Sequence, residues 1–174
     1  FVSYLIDGLD NTEQFLGGQR FSVPIGFVQD VTVLTNNFST EFGRTGNGVF
    51  NVTTRSGSNE VAGEAFYLTR PGSVFDGSSS FAQRDLLGNP VKDGFARYQL
   101  GFGVGGPIQK DRTFYYVNVE QTYDVKDNLL SVPQLALNET VRGTNRFTYA
   151  SARVDQRWSD AWRSALRART SLKN

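Results

Sequence analysis

The chain has 174 residues, with 18 lysines and arginines against 17 aspartates and glutamates, and it contains neither cysteine nor histidine. The near-neutral charge argues against a nucleic-acid partner, and the missing residue types exclude disulfides and Ser-His or Cys-His catalysis within this chain. No apolar run approaches the ~20 residues of a transmembrane helix. We therefore expect a mainly β protein, either a soluble domain or a membrane barrel whose strands alternate in polarity.

The first part of the chain, to about residue 58, is rich in Asn, Thr and Gly. Residues 27–34 and 49–54 are β-branched runs that predict two strands, and a helical turn is expected after Pro24. Three glycines between the two strands permit tight turns with positive φ, namely Gly43, Gly46 and Gly48. These features predict a small α+β unit over residues 1–58.

From residue 59 onward, the polarity of the sequence alternates with a period of two. The apolar set Tyr98, Leu100, Phe102 and Val104 alternates with Arg97, Gln99, Gly101 and Gly103. The predicted strands lie at about residues 63–69, 97–104, 113–123, 147–158 and 162–170. Short turns are expected at 105–112 and 159–160, and long polar connections at 71–94 and 124–145. Alternating long and short connections are typical of outer-membrane barrels.

Residues 147–170 also fit a helix, because Ala, Arg and Leu are good helix formers. A helix would distribute the arginines around its whole surface, whereas a strand places them on one face, so we favour two strands. The arginines of that face are Arg153, Arg157, Arg163, Arg167 and Arg169.

The alternation has a physical meaning in a bilayer, where every backbone polar group needs a partner and strands survive only in a closed barrel. An arginine on the lipid-facing side costs roughly 2–4 kcal/mol at the midplane, so the polar face is expected to point into the lumen. Tyr123, Trp158 and Trp162 suit the aromatic girdle of the membrane interface. A soluble, half-buried sheet alternates in the same way and remains an alternative.

Several motifs resemble a known family. FVQDVTVL at 27–34 and TEFGRTGNGVFNVTTR at 40–55 resemble the end of the plug domain of TonB-dependent receptors, and YLIDGLD at 4–10 resembles an earlier strand and turn of that plug. Residues 36–44, 56–60 and 105–114 are closer still to the Oar-like branch of outer-membrane proteins. The resemblance covers most of residues 1–120.

This resemblance implies a fragment of a plugged transmembrane antiparallel β-barrel in the bacterial outer membrane. Residues 1–58 would be the C-terminal part of the plug, and residues 59–174 about five first strands of a barrel of about 22 strands. The expected neighbours are outer-membrane lipid and the remainder of the same barrel. A TonB-type energy coupler would act through a TonB box preceding Phe1.

The resemblance also implies a function. We expect a receptor or transporter that binds an external ligand, such as a peptide or glycan, and passes it through the lumen when the plug rearranges. The alternative is a structural or adhesive outer-membrane barrel that acts as a scaffold for a partner protein. We expect no enzymatic activity, cofactor or metal, since no catalytic constellation is apparent.

Candidate functional residues follow from charge and position. Glu41 and Arg44 could join plug and lumen or pair with each other. The arginines of residues 153–169 could attract an anionic substrate or pair with acids of the plug and of neighbouring strands. Asp7, Asp10 and Asn11 could ligate calcium, but they lack the spacing of an EF-hand loop, so we prefer a turn-stabilising role. The glycines of residues 101–106 lie in a strand and not before a helix, which argues against a phosphate loop.

Overall fold

A computed structural model describes residues 2–35, 46–72, 84, 88, 94–132, 135 and 137–173. The strands are β1 Ser3–Ile6, β2 Leu9–Asp10, β3 Val28–Leu34, β4 Val49–Thr54, β5 Ala62–Arg70, β6 Ala96–Gln109, β7 Thr113–Val132, β8 Leu137–Arg157 and β9 Arg163–Lys173. They form a four-stranded sheet in the order β2-β1-β4-β3, here called the N-terminal sheet, and a five-stranded sheet in the order β5-β6-β7-β8-β9, here called the wall. Among the described residues, no helix has the length and apolar character needed to cross a membrane.

The N-terminal sheet forms where β-branched residues cluster. β1 pairs in parallel with β4, and β3 pairs with β4 in antiparallel orientation. Leu5, Ile6, Val49 and Val52 are buried. The two strands predicted here are confirmed, and the turn after Pro24 is the 3-10 helix Ile25–Phe27. Within residues 2–35 and 46–58 this is the one helical segment, so the expected α-helical part of the plug is not seen there.

Gly48 shows why a glycine is needed before β4. Its φ is +136°, and a Cβ at this position would lie 2.6 Å from the carbonyl oxygen of Leu34. The positive φ that this glycine permits is therefore used at Gly48, whereas Gly46 is not among the described glycines with a positive φ. Gly43 lies outside the described residues.

The wall contains the five strands predicted from the alternation, but two of the predicted connections are wrong. β6 continues through Pro107 to Gln109, and the hairpin β7–β8 includes most of residues 124–145. Side-chain contacts join the two strands within this hairpin: the Thr113 hydroxyl donates to Gln156 Oε1 over 2.6 Å, and Arg142 Nε lies 3.2 Å from Asp127 Oδ1. Polar side chains do not interrupt a backbone ladder, so an apolar pattern underestimates the length of such strands.

The helical alternative for residues 147–170 is wrong, because this segment forms β8, a tight turn and β9. The Trp158 amide donates to the Trp162 carbonyl over 2.9 Å, which closes the turn. The arginines of this region therefore lie on strands, as the sorting of their side chains predicted.

The two faces of the wall have reversed polarity compared with a soluble sheet. Leu100 and Phe102 are 58% and 55% exposed, whereas Gln99 and Glu120 are only 8% and 3% exposed. The covered polar groups satisfy one another: the Gln99 amide donates to Glu120 over 2.7 Å, and Arg97 binds Asp124 through two contacts of 2.7 Å. A water-soluble domain would bury the apolar set instead, so this arrangement contradicts the soluble alternative.

Residue contacts divide the chain into two compact units. The first comprises Phe1–Glu64, Gly103–Asn118 and Ser151–Arg169, and the second comprises Ala65–Phe102, Val119–Ala150 and Thr170–Asn174. The N-terminal sheet and one end of the wall strands thus belong to the same unit. The domain boundary at residue 58 stays a prediction.

Candidate functional site

Asp7 lies at the turn between β1 and β2 and adopts a φ of +50°. A short polar side chain tolerates this left-handed conformation better than most residues do. The Asp7 carboxylate accepts the Thr54 amide over 2.8 Å and the Thr54 hydroxyl over 2.6 Å, and its side chain is 8% exposed. A buried carboxylate needs positive partners, because burial of an unpaired charge is costly.

Two wall arginines supply that charge. Arg167 Nε lies 2.8 Å from Asp7 Oδ2, a charge contact in which the N–H is not aimed at the oxygen. Arg153 Nη1 lies 3.7 Å from Asp7 Oδ1 and donates to the Thr54 carbonyl over 2.7 Å. Arg153 Nε also lies 2.8 Å from Asp155 Oδ2. We call Asp7, Thr54, Arg153, Asp155 and Arg167 the Asp7 cluster; its two acids and two arginines balance in charge.

A second attachment is made by Tyr116 of β7, whose hydroxyl donates to the Gly26 carbonyl over 2.8 Å. The ring lies 6.0 Å from the ring of Phe27, centroid to centroid. It also lies against Gly103, where an added Cβ would come within 2.4 Å of the tyrosine oxygen. Glycine at this position therefore makes room for the tyrosine that reaches the 3-10 helix.

The segment that connects β4 to β5 is held by Arg55. Its Nε donates to the Val28 carbonyl over 3.0 Å, and its Nη1 lies 2.6 Å from Glu64 Oε2. One side chain thus bridges β3 of the N-terminal sheet and β5, the first strand of the wall.

The remaining predicted residues lie in different surroundings. The Arg169 guanidinium lies 4.7 Å from the centre of the Phe21 ring, and its Nη2 is 3.5 Å from Asn11 Oδ1. Arg157 and Arg163 line a cavity of about 500 Å³ and form no ion pair within the described part of the chain. Glu41 and Arg44 lie outside the described residues. The lumenal roles of all seven residues stay predictions.

The acidic and amide residues near the first turn make protein contacts. Asp10 Oδ1 accepts the Thr12 amide over 2.9 Å, and the Asn11 side chain exchanges two hydrogen bonds with the backbone of Phe21. Among the described residues, no group of three or more potential metal ligands is present. These contacts agree with a turn-stabilising role.

The loop of residues 13–18 has two apolar side chains that are exposed to solvent. Phe15 and Leu16 are 92% and 90% exposed. The Glu13 carboxylate accepts the backbone amides of Leu16 and Phe15, and these hydrogen bonds lower the pKa of Glu13. The loop therefore holds a defined shape although its tip is almost fully exposed.

The position of this loop follows from contacts along β9. Starting at the short turn of residues 159–162, β9 first reaches Asp7 through Arg167 and then Asn11 through Arg169. The loop begins beyond Asn11 and is closed by the Thr12–Gln19 bridge. It therefore lies on the side of the N-terminal sheet that faces away from the short turn. Short turns of outer-membrane barrels are periplasmic, so we expect the loop to face the cell exterior.

The sequence did not identify Asp7, Thr54 and Tyr116 as contact residues. The sequence predicts a turn at Asp7, which Asp7 also forms, and a strand at Thr54. The one usable signal was the excess of arginine on a single strand face, which requires acids from elsewhere. Nothing in the sequence shows which acid, because Asp7 and Arg167 are far apart in the chain.

Comparison with known proteins shows what the chain is similar to. The family described as outer membrane beta barrel domain matches residues 53–164. The TonB-dependent transporter Oar of Myxococcus xanthus is 31% identical over 155 residues, which are 86% of this chain and 14% of that relative. The chain thus spans only a small part of the length of the relative. No solved structure matches the chain.

Proposed function

The chain belongs to the outer-membrane β-barrel domain family, and on this basis we propose that the whole protein is a TonB-dependent-type receptor that binds an external ligand and passes it through a plugged barrel. The family resemblance, the mainly β fold and the location in the bacterial outer membrane, all expected from the sequence, are confirmed. The activity, ligand and partners of the whole protein are part of the proposal.

The observation that carries the proposal is the polar attachment of the N-terminal sheet to the wall. Three of its contacts, those of Asp7, Thr54 and Gly26, are ion pairs or hydrogen bonds. Water can replace such contacts when the surfaces separate, whereas separating an apolar interface would expose surface at a cost of about 25 cal/mol per Å². A polar interface between parts of one chain therefore favours relative movement. A plug that must rearrange needs such an interface.

The loop carrying Phe15 and Leu16 is the proposed point of first contact with the ligand. An exposed aromatic ring next to a leucine suits apolar side chains of peptides or the faces of sugar rings. We propose a peptide or glycan as the ligand class. A TonB-type coupler would supply the energy through a segment upstream of this chain, and no catalytic step is required.

The test uses the full-length protein in the outer membrane and a thiol reporter at Ser151. The Ser151 hydroxyl is buried and makes no hydrogen bond in the described part of the chain, so Ser151→Cys changes little. Ser151 lies on the same strand face as Arg153, which binds Thr54, so separation of the N-terminal sheet should uncover it. Ser159→Cys in the exposed short turn is the matched control.

Cells are treated with a membrane-permeable maleimide in a peptide-rich medium, with and without the coupler gene. The proposal predicts faster labelling of Ser151→Cys only when the coupler is present, while Ser159→Cys reacts equally in both strains. Equal labelling of Ser151→Cys in the two strains would reject coupled rearrangement and favour the scaffold alternative.

A further inference from the structure

We propose that the hairpin β7–β8 carries a binding site for a phosphate group of the glycolipid that forms the outer leaflet of the outer membrane, with Arg146 as the anion-binding residue and Tyr123 as its support. The inference rests on the location of the protein in the outer membrane and is independent of the proposed transport activity.

Arg146 lies on the lipid-facing side of the wall despite its charge. Its guanidinium carbon is 5.8 Å from the centre of the Tyr123 ring, and that ring stacks on Tyr98 with centroids 6.5 Å apart. Tyr98 belongs to the same exposed face as Leu100 and Phe102. The three side chains thus form an aromatic–cationic cluster on the apolar face, which we call the Arg146 cluster.

The height of the Arg146 cluster matches the outer membrane interface. Arg146 lies about 11 residues along β8 from Arg157, where the strand meets the short turn. At ~3.3 Å per residue and a strand tilt of ~40°, this separation is about 28 Å along the membrane normal. The apolar band of such barrels is about 25 Å tall, so the cluster lies at its outer edge, at the level of lipid headgroups.

No protein acid within the described residues neutralises Arg146. Farther outward on the same two strands, Arg142 already has an acidic partner, because its Nε lies 3.2 Å from Asp127 Oδ1. Asp124, next to Tyr123 in sequence, is bound to Arg97. Arg146 itself forms no ion pair in this part of the chain.

An unpaired guanidinium at an interface attracts anions, and a phosphate fits its planar pair of donors. The stacked tyrosines add an amphipathic surface for the sugar and the upper acyl chain of the same lipid. The position at the outer edge of the apolar band selects the glycolipid of the outer leaflet over the phospholipid of the inner leaflet.

Site-specific photo-crosslinking in the full-length protein tests this inference in intact outer membranes. Benzoylphenylalanine replaces Thr144, which lies on the same face of β8 two residues outward from Arg146. The adduct is identified with an antibody against the phosphorylated glycolipid. The variants are Arg146→Gln, Arg146→Lys and, as a matched control, Arg142→Gln, whose arginine is already paired. Retention of the heat-modifiable folded form is checked for each variant.

The expected result is a glycolipid adduct that falls roughly fivefold in Arg146→Gln, as for loss of one basic residue at a charged membrane surface. Arg142→Gln should retain it, and Arg146→Lys, which keeps the charge but not the planar pair of donors, should retain part of it. The inference is overturned if folded wild-type protein gives no glycolipid adduct, if the adduct is a phospholipid, or if Arg146→Gln and Arg142→Gln behave alike. Equal loss in Arg146→Lys and Arg146→Gln also overturns it.

Discussion

Replacing Asp7 with asparagine should loosen the N-terminal sheet from the wall. Asparagine keeps the shape of the side chain and tolerates the positive φ of this position, so the change removes charge with little effect on the turn. Arg167 then loses its described acidic partner, and Arg153 keeps Asp155 as its acidic partner and Thr54 as an acceptor. Thr54 retains one acceptor.

The magnitude follows from burial. The side chains of Asp7, Arg153 and Arg167 are 8%, 14% and 28% exposed. Breaking a buried pair costs about 3–5 kcal/mol; because Arg153 keeps a partner and Arg167 is partly solvated, we expect about 2 kcal/mol, or about 30-fold in the population of the separated state.

Tryptic cleavage at Arg55 in the full-length protein measures this population. Arg55 is held by Glu64 and by the Val28 carbonyl, so cleavage requires opening of the contact. Cleavage rates report the open population when closing is faster than cutting. Asp155→Asn is the matched control, since Arg153 then keeps Asp7 and Thr54, and it should change the rate less than about threefold. The reasoning is refuted if Asp7→Asn also stays below that limit or if the two variants are equal.

Three further predictions concern the sheet, the bilayer and the exposed loop. Gly48→Ala should reduce the yield of heat-modifiable folded protein severalfold, because its Cβ would meet the Leu34 carbonyl, whereas Gly46→Ala, with open space around it, should not. Val119→Arg, about 15 Å above the short turn, should lower the unfolding free energy in lipid vesicles by about 2–4 kcal/mol, and Val141→Arg, beyond the apolar band, should not. The lowered pKa of Glu13 means that its hydrogen bonds stabilise the loop above the unfolded pKa and are lost as pH falls through the folded value. Glu13→Gln should therefore speed pepsin cleavage at the loop tip relative to wild type at the upper end of the pepsin range, and this ratio should approach one at lower pH.

The sequence predicted most of the wall because lipid and lumen impose a period of two on side chains. Leu100 and Gln99 follow this rule, because the leucine side chain is exposed and the neighbouring glutamine side chain is buried. The rule of alternating polarity fails where the strands leave the bilayer, as at Asp127 and Arg142. Both faces of a strand carry polar residues there, although the backbone ladder continues. The sequence also predicts a turn at Pro107, whereas this residue lies within β6.

The sequence predicted the arginines of the candidate site but not the residues that they contact. The arginine face was visible in the sequence, because charges on one strand face must lie away from lipid. The acid that pairs with Arg153 and Arg167 was not, since tertiary packing alone brings β1 to β8 and β9. The same limit applies to Tyr116 and Gly26, which are joined by a backbone acceptor that has no sequence signature.

The central claim is that successive side chains of the wall face lipid and a covered polar interior, and spin labels at consecutive positions of β7 test it most directly. In the full-length protein in lipid vesicles, labels at residues 117 and 119 should be relaxed by oxygen and not by a water-soluble nickel complex. Labels at 118 and 120 should be immobile and protected from both. Nickel relaxation at 117 and 119 equal to that of an exposed label at Ser159 would contradict the account.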